Sequence, residues 1–231
     1  MMGRGPVRPV DAAGLILLRG RRDAPEILLG RRPAKTTFLP GIYVVPGGRV
    51  DRADHLPSGF HEQIHPAVAK TLSAENGRRP ALAFLRAALR ETYEETGLLL
   101  GGGRAARTAR PGAAVWRAYA EAGAAPGFGE LDYVLRAITP VGSHRRYNTR
   151  FFLGDGGRVE GALTGNGELL DLRWWPAAAL ERLNIVDVTW ALIRSAMQRW
   201  QDRVAPGAQQ PKLLTYRNNS LVLRDRPAGR A

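Results

Sequence analysis

Three glutamates in the segment from Arg90 to Leu98 have the spacing of a chemical site. On a helix, Glu91, Glu94 and Glu95 stand at i, i+3 and i+4, so their carboxylates share one face. Like charges at this spacing repel each other and destabilise a helix by about 0.2–0.5 kcal/mol per pair. A hard divalent cation such as Mg²⁺ or Mn²⁺ prefers clustered carboxylate oxygens and would offset this cost. A solvated acidic face is the alternative interpretation.

Two neighbouring features favour the metal-binding interpretation. Arg90 lies beside the cluster, and its guanidinium can hold one carboxylate in place. Gly97 follows at the position where a helix ends in a left-handed cap. Upstream, the β-branched pair Val44-Val45 leads into Pro46-Gly47-Gly48, a turn whose peptide groups are free of side-chain cover. The chain therefore combines an acidic helix with a loop of accessible backbone.

This combination resembles the signature of the Nudix hydrolase family. The signature is a glycine, five residues, a glutamate, seven residues, and then RE-U-xEE-x-GU, where U is a bulky apolar residue. Gly48 matches the first glycine, and the segment from Arg90 to Leu98 matches the end, with Thr92 in place of the first apolar residue. The resemblance implies an α/β protein with the Nudix-type α/β/α sandwich and its mixed sheet. It also implies an enzyme that hydrolyses a phosphoanhydride.

The signature is split by additional residues in this chain. Arg90 follows Gly48 by 42 positions, where the signature has 14. We therefore predict an insertion of about 28 residues at positions 52–79. The glutamate in the middle of the signature has three candidate counterparts: Asp51, Asp54 and Glu62. An insertion at this place resembles the branch of the family that cleaves coenzyme A and its thioesters.

The resemblance also implies roles for individual residues. All three glutamates would bind Mg²⁺ or Mn²⁺, together with the backbone carbonyl of Gly47. Glu91 is a candidate both for a third ligand and for the base that activates water, and Arg90 would orient it. Nudix enzymes often take the base from a distal loop, for which Glu168 is our candidate. A solvated loop carboxylate is the alternative interpretation of Glu168.

The predicted substrate contacts are the loop glycine and four arginines, since N–H groups and guanidinium groups bind phosphate oxygens. They are Gly48, Arg31, Arg32, Arg146 and Arg150. Each arginine is also consistent with an ordinary surface position. The segments at positions 28–48 and 145–153 resemble the coenzyme A branch, so coenzyme A or an acyl-CoA is the first candidate substrate. NADH, ADP-ribose and capped RNA share the diphosphate. A non-catalytic Nudix-fold ligand sensor or regulator is the alternative function.

Composition limits the partners and the compartment. The chain has 231 residues, a net charge of +13 and no cysteine. No apolar run is long enough to span a membrane. The arginines are scattered rather than clustered, so we do not expect a nucleic-acid partner. We expect a cytoplasmic protein whose partner is a small-molecule diphosphate, and a homodimer is one option for its assembly.

The pattern along the chain predicts one main domain. Residues 1–10 are expected to form a disordered leader, residues 11–204 the Nudix domain, and residues 205–231 a C-terminal tail. Strands are predicted at 12–19, 26–31, 41–46, 132–140, 150–153, 169–175 and 220–223. Helices are predicted at 58–73, 78–96, 111–124, 176–183 and 187–203, with Asp187 as the N-cap of the last and a flexible break at the glycines 101–103.

Overall fold

The computed structural model describes residues 7–76, 80–104, 112–217 and 220–225. Within these residues, a nine-stranded mixed sheet lies between helices. The elements, in chain order, are β1 (Val10–Gly20), β2 (Pro25–Arg31), β3 (Tyr43–Val44), β4 (Gly47–Arg49), α1 (Pro66–Asn76), α2 (Ala81–Thr96), β5 (Leu99–Arg104), α3 (Ala114–Ala122), β6 (Ala124–Pro126), β7 (Asp132–Ile138), β8 (Tyr147–Asp155), β9 (Val159–Glu160), β10 (Leu170–Pro176), α4 (Asp187–Gln201), β11 (Lys212–Arg217) and β12 (Ser220–Arg224).

The large sheet has the order β10-β2-β1-β8-β7-β11-β12, with β3 paired to β2 and β4 paired to β1. The central pair, β1 and β8, is parallel and runs in register from Val10 opposite Tyr147 to Leu18 opposite Asp155. A strand covered on both faces needs apolar residues at consecutive positions. The run from Leu15 to Leu18 meets this requirement, and all four side chains are fully buried. β5, β6 and β9 form a separate three-stranded sheet.

Two hydrophobic cores lie on opposite faces of the large sheet. Successive side chains of a strand point to opposite faces. Leu15 and Leu17 of β1 accordingly join the core that contains residues of α1, α2 and α3. Ile16 and Leu18 join the core that contains residues of α4. This three-layer arrangement confirms the predicted α/β/α sandwich.

α2 carries the acidic cluster, and local sequence signals explain both of its ends. Pro80 stands at the N-cap, where its missing N–H costs no helical hydrogen bond. Gly97 ends the helix in the left-handed conformation, with φ of 77°, and its N–H donates to the carbonyl of Tyr93 at 2.7 Å. The helix predicted at 78–96 is therefore present from Ala81 onward. Residues 78 and 79 lie outside the described ranges.

Other predicted elements need correction. The helix predicted at 58–73 is wrong before Pro66, because proline begins α1 instead of standing inside a longer helix. The predicted break at 101–103 is strand β5, which pairs with β6 and β9. Asp187 is the first residue of α4, and Val186 is its N-cap.

Among the described residues, five strands escaped prediction, namely β4, β5, β6, β9 and β11. The predicted tail, residues 205–231, contains β11 and β12. The predicted leader includes residues 1–6, which lie outside the described ranges, and β1 begins at Val10. None of the helices in the described ranges is long and apolar enough to cross a membrane.

Candidate active site

Arg90 lies at the centre of an ion-pair network on α2, and its side chain is buried. Its Nε and Nη2 atoms donate to the two carboxylate oxygens of Asp54 at 2.9 and 2.8 Å. Its Nη1 atom donates to Glu91 at 2.9 Å and to Glu94 at 3.0 Å. Burial disfavours the charged guanidinium, but these carboxylates outweigh it and raise the pKa of Arg90. One arginine thus fixes two members of the acidic cluster.

Of the three candidate counterparts of the signature's middle glutamate, Asp54 is the one that pairs with Arg90. It is 2% exposed, and it follows Gly48 after five residues, which is the spacing of the glutamate in the Nudix signature. Asp51 contributes its backbone N–H to Asp54 Oδ2 at 2.8 Å, and Glu62 binds Arg86 instead. The spacing from Gly48 was the signal that could have selected Asp54. The additional residues of the split signature therefore follow Asp54.

Glu95 is the most deeply buried carboxylate of the cluster, at 5% exposure. Its Oε2 atom accepts a hydrogen bond from the N–H of Gly47 at 3.0 Å. Burial raises the pKa of Glu95 to about 8, the Gly47 N–H opposes this rise, and the charges of Glu91 and Glu168 add to it. The site therefore concentrates negative charge in a place that favours a compensating cation.

The loop at Gly47 and Gly48 lies directly against α2. A Cβ atom at Gly48 would stand 2.3 Å from Oε1 of Glu91, and one at Gly47 would stand 2.6 Å from the carbonyl oxygen of Ala13. Only glycine leaves room for the loop, β1 and the glutamates together. Burial also raises the pKa of Glu91, against the effect of Arg90. The two glycines thus set how closely backbone and carboxylates approach.

A cavity of about 790 Å³ opens at this loop. Its polar side is lined by Gly47, Gly48, Glu91, Glu95, Glu168 and Arg32. The lining also includes the aromatic residues Phe38, Tyr147, Phe151 and Tyr216. Phe38 and Tyr147 contact each other edge to face, with ring centroids 5.1 Å apart. A cavity of this size and mixed polarity accommodates a nucleotide-sized ligand.

Among solved structures, the chain is similar to a NUDIX hydrolase from Alicyclobacillus acidocaldarius, with 28% identity and a TM-score of 0.59 over 86% of this chain and 95% of that chain. The chain has the Nudix fold. The similarity supports the Nudix family that the segment from Arg90 to Leu98 implied.

Two further similar structures are more distant. The NUDIX domain of Shewanella oneidensis NrtR, complexed with ADP ribose, has 13% identity and a TM-score of 0.46 over 84% of this chain and 89% of that chain. The MutT protein from Bacillus halodurans has 14% identity and a TM-score of 0.47 over 94% and 99% of the two chains. No protein-family model and no curated protein matches the sequence.

The donor set of this Nudix site fits a divalent cation in its chemistry. Glu91 and Glu95 line one cavity beside the backbone of Gly47, and hard cations take such carboxylate and carbonyl oxygens. In the described ranges, no three His, Cys, Asp or Glu side chains already stand as a metal-binding group. Glu94 is turned towards Arg90 and is 44% exposed. Glu94, the third predicted carboxylate ligand, does not line the cavity in this structure.

Of the four predicted substrate arginines, Arg32 lines the cavity of the Nudix site. Its Nε atom is buried and has no hydrogen-bond partner among the described residues. Its charge lowers the pKa of Glu95, which places the guanidinium within electrostatic reach of the cluster. Arg32 is thus a cation at the cavity with one buried N–H that no described residue engages.

The other three predicted arginines do not line the cavity. The charge of Arg31 acts on Tyr43 and Asp171 instead. Arg146 donates to the backbone carbonyls of Thr139 and Val7 at 3.1 and 2.8 Å. Arg150 is 2% exposed, donates to Asp11 at 2.7 Å and lies 4.2 Å from the centroid of the Phe84 ring. Arg150 therefore faces α2 inside the core.

Glu168, the predicted distal-loop base, lines the same cavity as Glu91 and Glu95. Its side chain is exposed, and its backbone N–H donates to Oδ1 of Asn166 at 2.9 Å. Its charge contributes to the raised pKa of Glu95. The structure thus brings a solvent-accessible carboxylate from a loop to the buried cluster of the Nudix site.

Proposed function

We propose that this Nudix-fold protein is a diphosphohydrolase that cleaves the phosphoanhydride of a nucleoside diphosphate linked to another moiety, with Mg²⁺ or Mn²⁺. The observation that carries the proposal is the meeting of Glu91 and Glu95 with the Gly47-Gly48 loop at one cavity. Buried carboxylates that repel each other fit a site whose ligand is cationic. The divalent metal ion that accompanies a diphosphate supplies this positive charge.

Each residue then has a distinct task. Glu91, Glu94, Glu95 and the backbone of Gly47 would hold the cation, which supplies charge stabilisation and lowers the pKa of water. Arg90, fixed by Asp54, orients Glu91 and Glu94. The planar guanidinium of Arg32, which lines the cavity, would bind phosphate oxygens.

Glu168 is the residue that we assign as general base. Glu91 is the other candidate, but one of its oxygens already accepts a hydrogen bond from Arg90. Glu168 is exposed, lines the cavity, and forms no ion pair with any arginine in the part of the chain that the structure describes. A carboxylate that is not engaged by an arginine is the better acceptor for the proton of the attacking water.

Coenzyme A or an acyl-CoA is the substrate that we propose first. The position of the additional residues between Asp54 and α2 supports the branch of the family that cleaves coenzyme A. Hydrolysis would give 3′,5′-ADP and a 4′-phosphopantetheine species. The volume of about 790 Å³ leaves room for a nucleotide and part of a second group.

A panel of diphosphates tests the proposal. Purified protein is incubated with coenzyme A, dephospho-coenzyme A, NADH and ADP-ribose, each with Mg²⁺, with Mn²⁺ and with excess EDTA. We expect cation-dependent turnover, fastest with coenzyme A. Turnover that persists in EDTA would contradict metal dependence. A preference for NADH or ADP-ribose would reject the coenzyme A branch but would still support a diphosphohydrolase. Tight binding of a diphosphate without turnover would indicate a sensor.

A further inference from the structure

A second arginine–glutamate pair joins the additional residues to α2, one helical turn before Arg90. Arg86 donates from Nε to Oε1 of Glu62 at 2.7 Å, and from Nη2 to Oε2 of the same carboxylate. The side chains are only 5% and 10% exposed. The N–H of Ser58 also donates to Glu62, at 2.9 Å. This pairing is bidentate and largely shielded from water, so it fixes the guanidinium of Arg86 in one orientation.

Arg86 connects this pair to the candidate active site through Asp54. Its Nη1 atom donates to the backbone carbonyl of Asp54 at 3.0 Å. The carboxylate of the same Asp54 is held by Arg90, which in turn holds Glu91 and Glu94. Asp54 is thus fixed at its backbone by one arginine and at its side chain by the other. A continuous network of hydrogen bonds runs from Glu62 to the acidic cluster.

We propose that Glu62 is a positioning residue for the carboxylates of the acidic cluster, acting through Arg86, Asp54 and Arg90. This inference rests on the proposed function of the site. Without the Glu62 carboxylate, Arg86 becomes a buried cation without its bidentate partner. Arg86 already binds the backbone carbonyl of Asp54, so we expect it to compete with Arg90 for the carboxylate of the same residue. Arg90 then loses the partner that fixes its orientation towards Glu91 and Glu94.

The proposal gives the segment after Asp54 a task at the reaction centre. If the residues after Asp54 were only a surface insertion, they would need no buried ion pair with α2. Here the carboxylate of Glu62 forms a largely buried ion pair with Arg86, which lies on α2 four residues before Arg90. Residues at i and i+4 lie on the same helical face, so Arg86 and Arg90 reach Asp54 from neighbouring turns.

The test compares Glu62→Gln with a matched control elsewhere. Glu62→Gln keeps the size of the side chain and removes its charge. The control, Asp132→Asn, breaks the buried Arg199–Asp132 pair, whose Nη1 and Oδ2 atoms are 2.6 Å apart, on the α4 side of the sheet. Three readouts are taken: Mn²⁺ affinity from the EPR signal of free Mn²⁺, the kcat and KM for coenzyme A or the best diphosphate of the panel, and the Tm.

Loss of a residue that orients metal ligands typically reduces metal affinity or activity about 10–100-fold. We expect Glu62→Gln to lower kcat and Mn²⁺ affinity in this range while KM changes little. Asp132→Asn should lower the Tm and leave kcat and Mn²⁺ affinity near those of the unmodified chain. Wild-type kcat and Mn²⁺ affinity in Glu62→Gln would overturn the proposal, whatever its Tm. If Glu62→Gln does not fold, Arg86→Lys replaces it, because lysine keeps the charge but cannot form the bidentate pair. The same losses of kcat and Mn²⁺ affinity are then expected.

A double-mutant cycle separates the relay from a general loss of packing. Asp54→Asn should already disengage Arg90, so adding Glu62→Gln to it should lower log kcat far less than Glu62→Gln does alone. Additive effects would contradict a route through Asp54. Mn²⁺ binding by the wild-type protein without turnover of any diphosphate would overturn the proposed function, while the Mn²⁺ readout would still decide the role of Glu62. A wild-type protein that binds no Mn²⁺ would overturn both.

Discussion

Glu95 combines deep burial with a charge that the N–H of Gly47 and, less strongly, the charge of Arg32 offset. We expect Glu95→Gln to lower kcat by two or more orders of magnitude, because a lost metal ligand removes charge stabilisation from the transition state. The Tm of the metal-free variant should hold near neutral pH and rise above about pH 8, since the variant removes a carboxylate whose ionisation is disfavoured by burial. Glu121→Gln, on the exposed surface of α3, is the control. Near-normal kcat at saturating Mg²⁺ would show that Glu95 is not a ligand.

Glu168→Gln should give a different pattern from Glu95→Gln. A general base acts on the attacking water, so its loss should lower kcat about 10²–10⁴-fold while Mn²⁺ affinity stays close to the wild-type value. Loss of a ligand lowers both. Equal losses of Mn²⁺ affinity in the two variants would make Glu168 a ligand, and unchanged kcat would return the role of base to Glu91.

The raised pKa of Glu95 predicts how the stability of the metal-free protein changes with pH. The folded protein keeps the proton up to about pH 8, whereas the unfolded chain loses it near the ordinary value of 4.5. Between these values the folded state binds more protons, so the free energy of unfolding falls as pH rises. Urea titrations in EDTA should show this fall, and Glu95→Gln should flatten it. The raised pKa of Glu95 would be contradicted if the free energy of unfolding rose over this pH interval in the wild type but not in Glu95→Gln.

At the scale of single residues, the sequence predicted the acidic cluster, because helical spacing alone brings its members together. Glu91, Glu94 and Glu95 come together because 3.6 residues make a turn. The choice between Arg31 and Arg32 was beyond the sequence, since neighbours on a strand point to opposite sides and the cavity lies on one. Arg150 was misjudged for a related reason. Its strand lies at the centre of the sheet, so its side chain faces α2 and not solvent.

Among the elements, the contact between the glycine loop and α2 is the one that positions the site. Gly48→Ala would place a methyl group 2.3 Å from Glu91 Oε1. Because the neighbour is the end of a flexible side chain, Glu91 should rotate away from Arg90 while the fold persists. A displacement of about 1 Å can reduce the rate about 10²-fold, so we expect such a loss of kcat with a small change in Tm. Gly112→Ala, which meets no atom within 4 Å, is the control. Equal kcat in the two variants would contradict this role of the loop.

A helix or strand can be predicted from the sequence when the interactions that form it are local in the sequence. α2 has its signals within its own sequence, namely an apolar periodicity, Pro80 before it and Gly97 after it. β5 contains three consecutive glycines and becomes a strand only because β6 and β9 supply its hydrogen-bond partners. α1 begins at Pro66, a local signal for a helix start inside the helix predicted at 58–73.

For the whole molecule, the buried pair between Asp132 and Arg199 ties α4 to β7. Asp132 also accepts the N–H of Gly207 at 2.8 Å, and Arg199 donates to the carbonyl of Gln210 at 2.8 Å. One pair therefore secures α4 and the connection to β11. Asp132→Asn should lower the free energy of unfolding by about 3–5 kcal/mol, because it leaves a buried guanidinium uncompensated. Urea unfolding measures this change, and a loss below about 1 kcal/mol, the size typical of a surface pair, would show that the pair is dispensable.

The parallel pairing of β1 with β8 also has a consequence for synthesis on the ribosome. Partners in this pair are 137 residues apart. At about 5–20 residues per second, β8 is completed roughly 7–30 s after β1. During this interval β2 and β4 are available to β1, but the edge that β8 will occupy is open, and the run from Leu15 to Leu18 is apolar on both faces. The nascent chain therefore exposes an aggregation-prone strand until β8 is made. We expect chaperones to bind this strand during that interval.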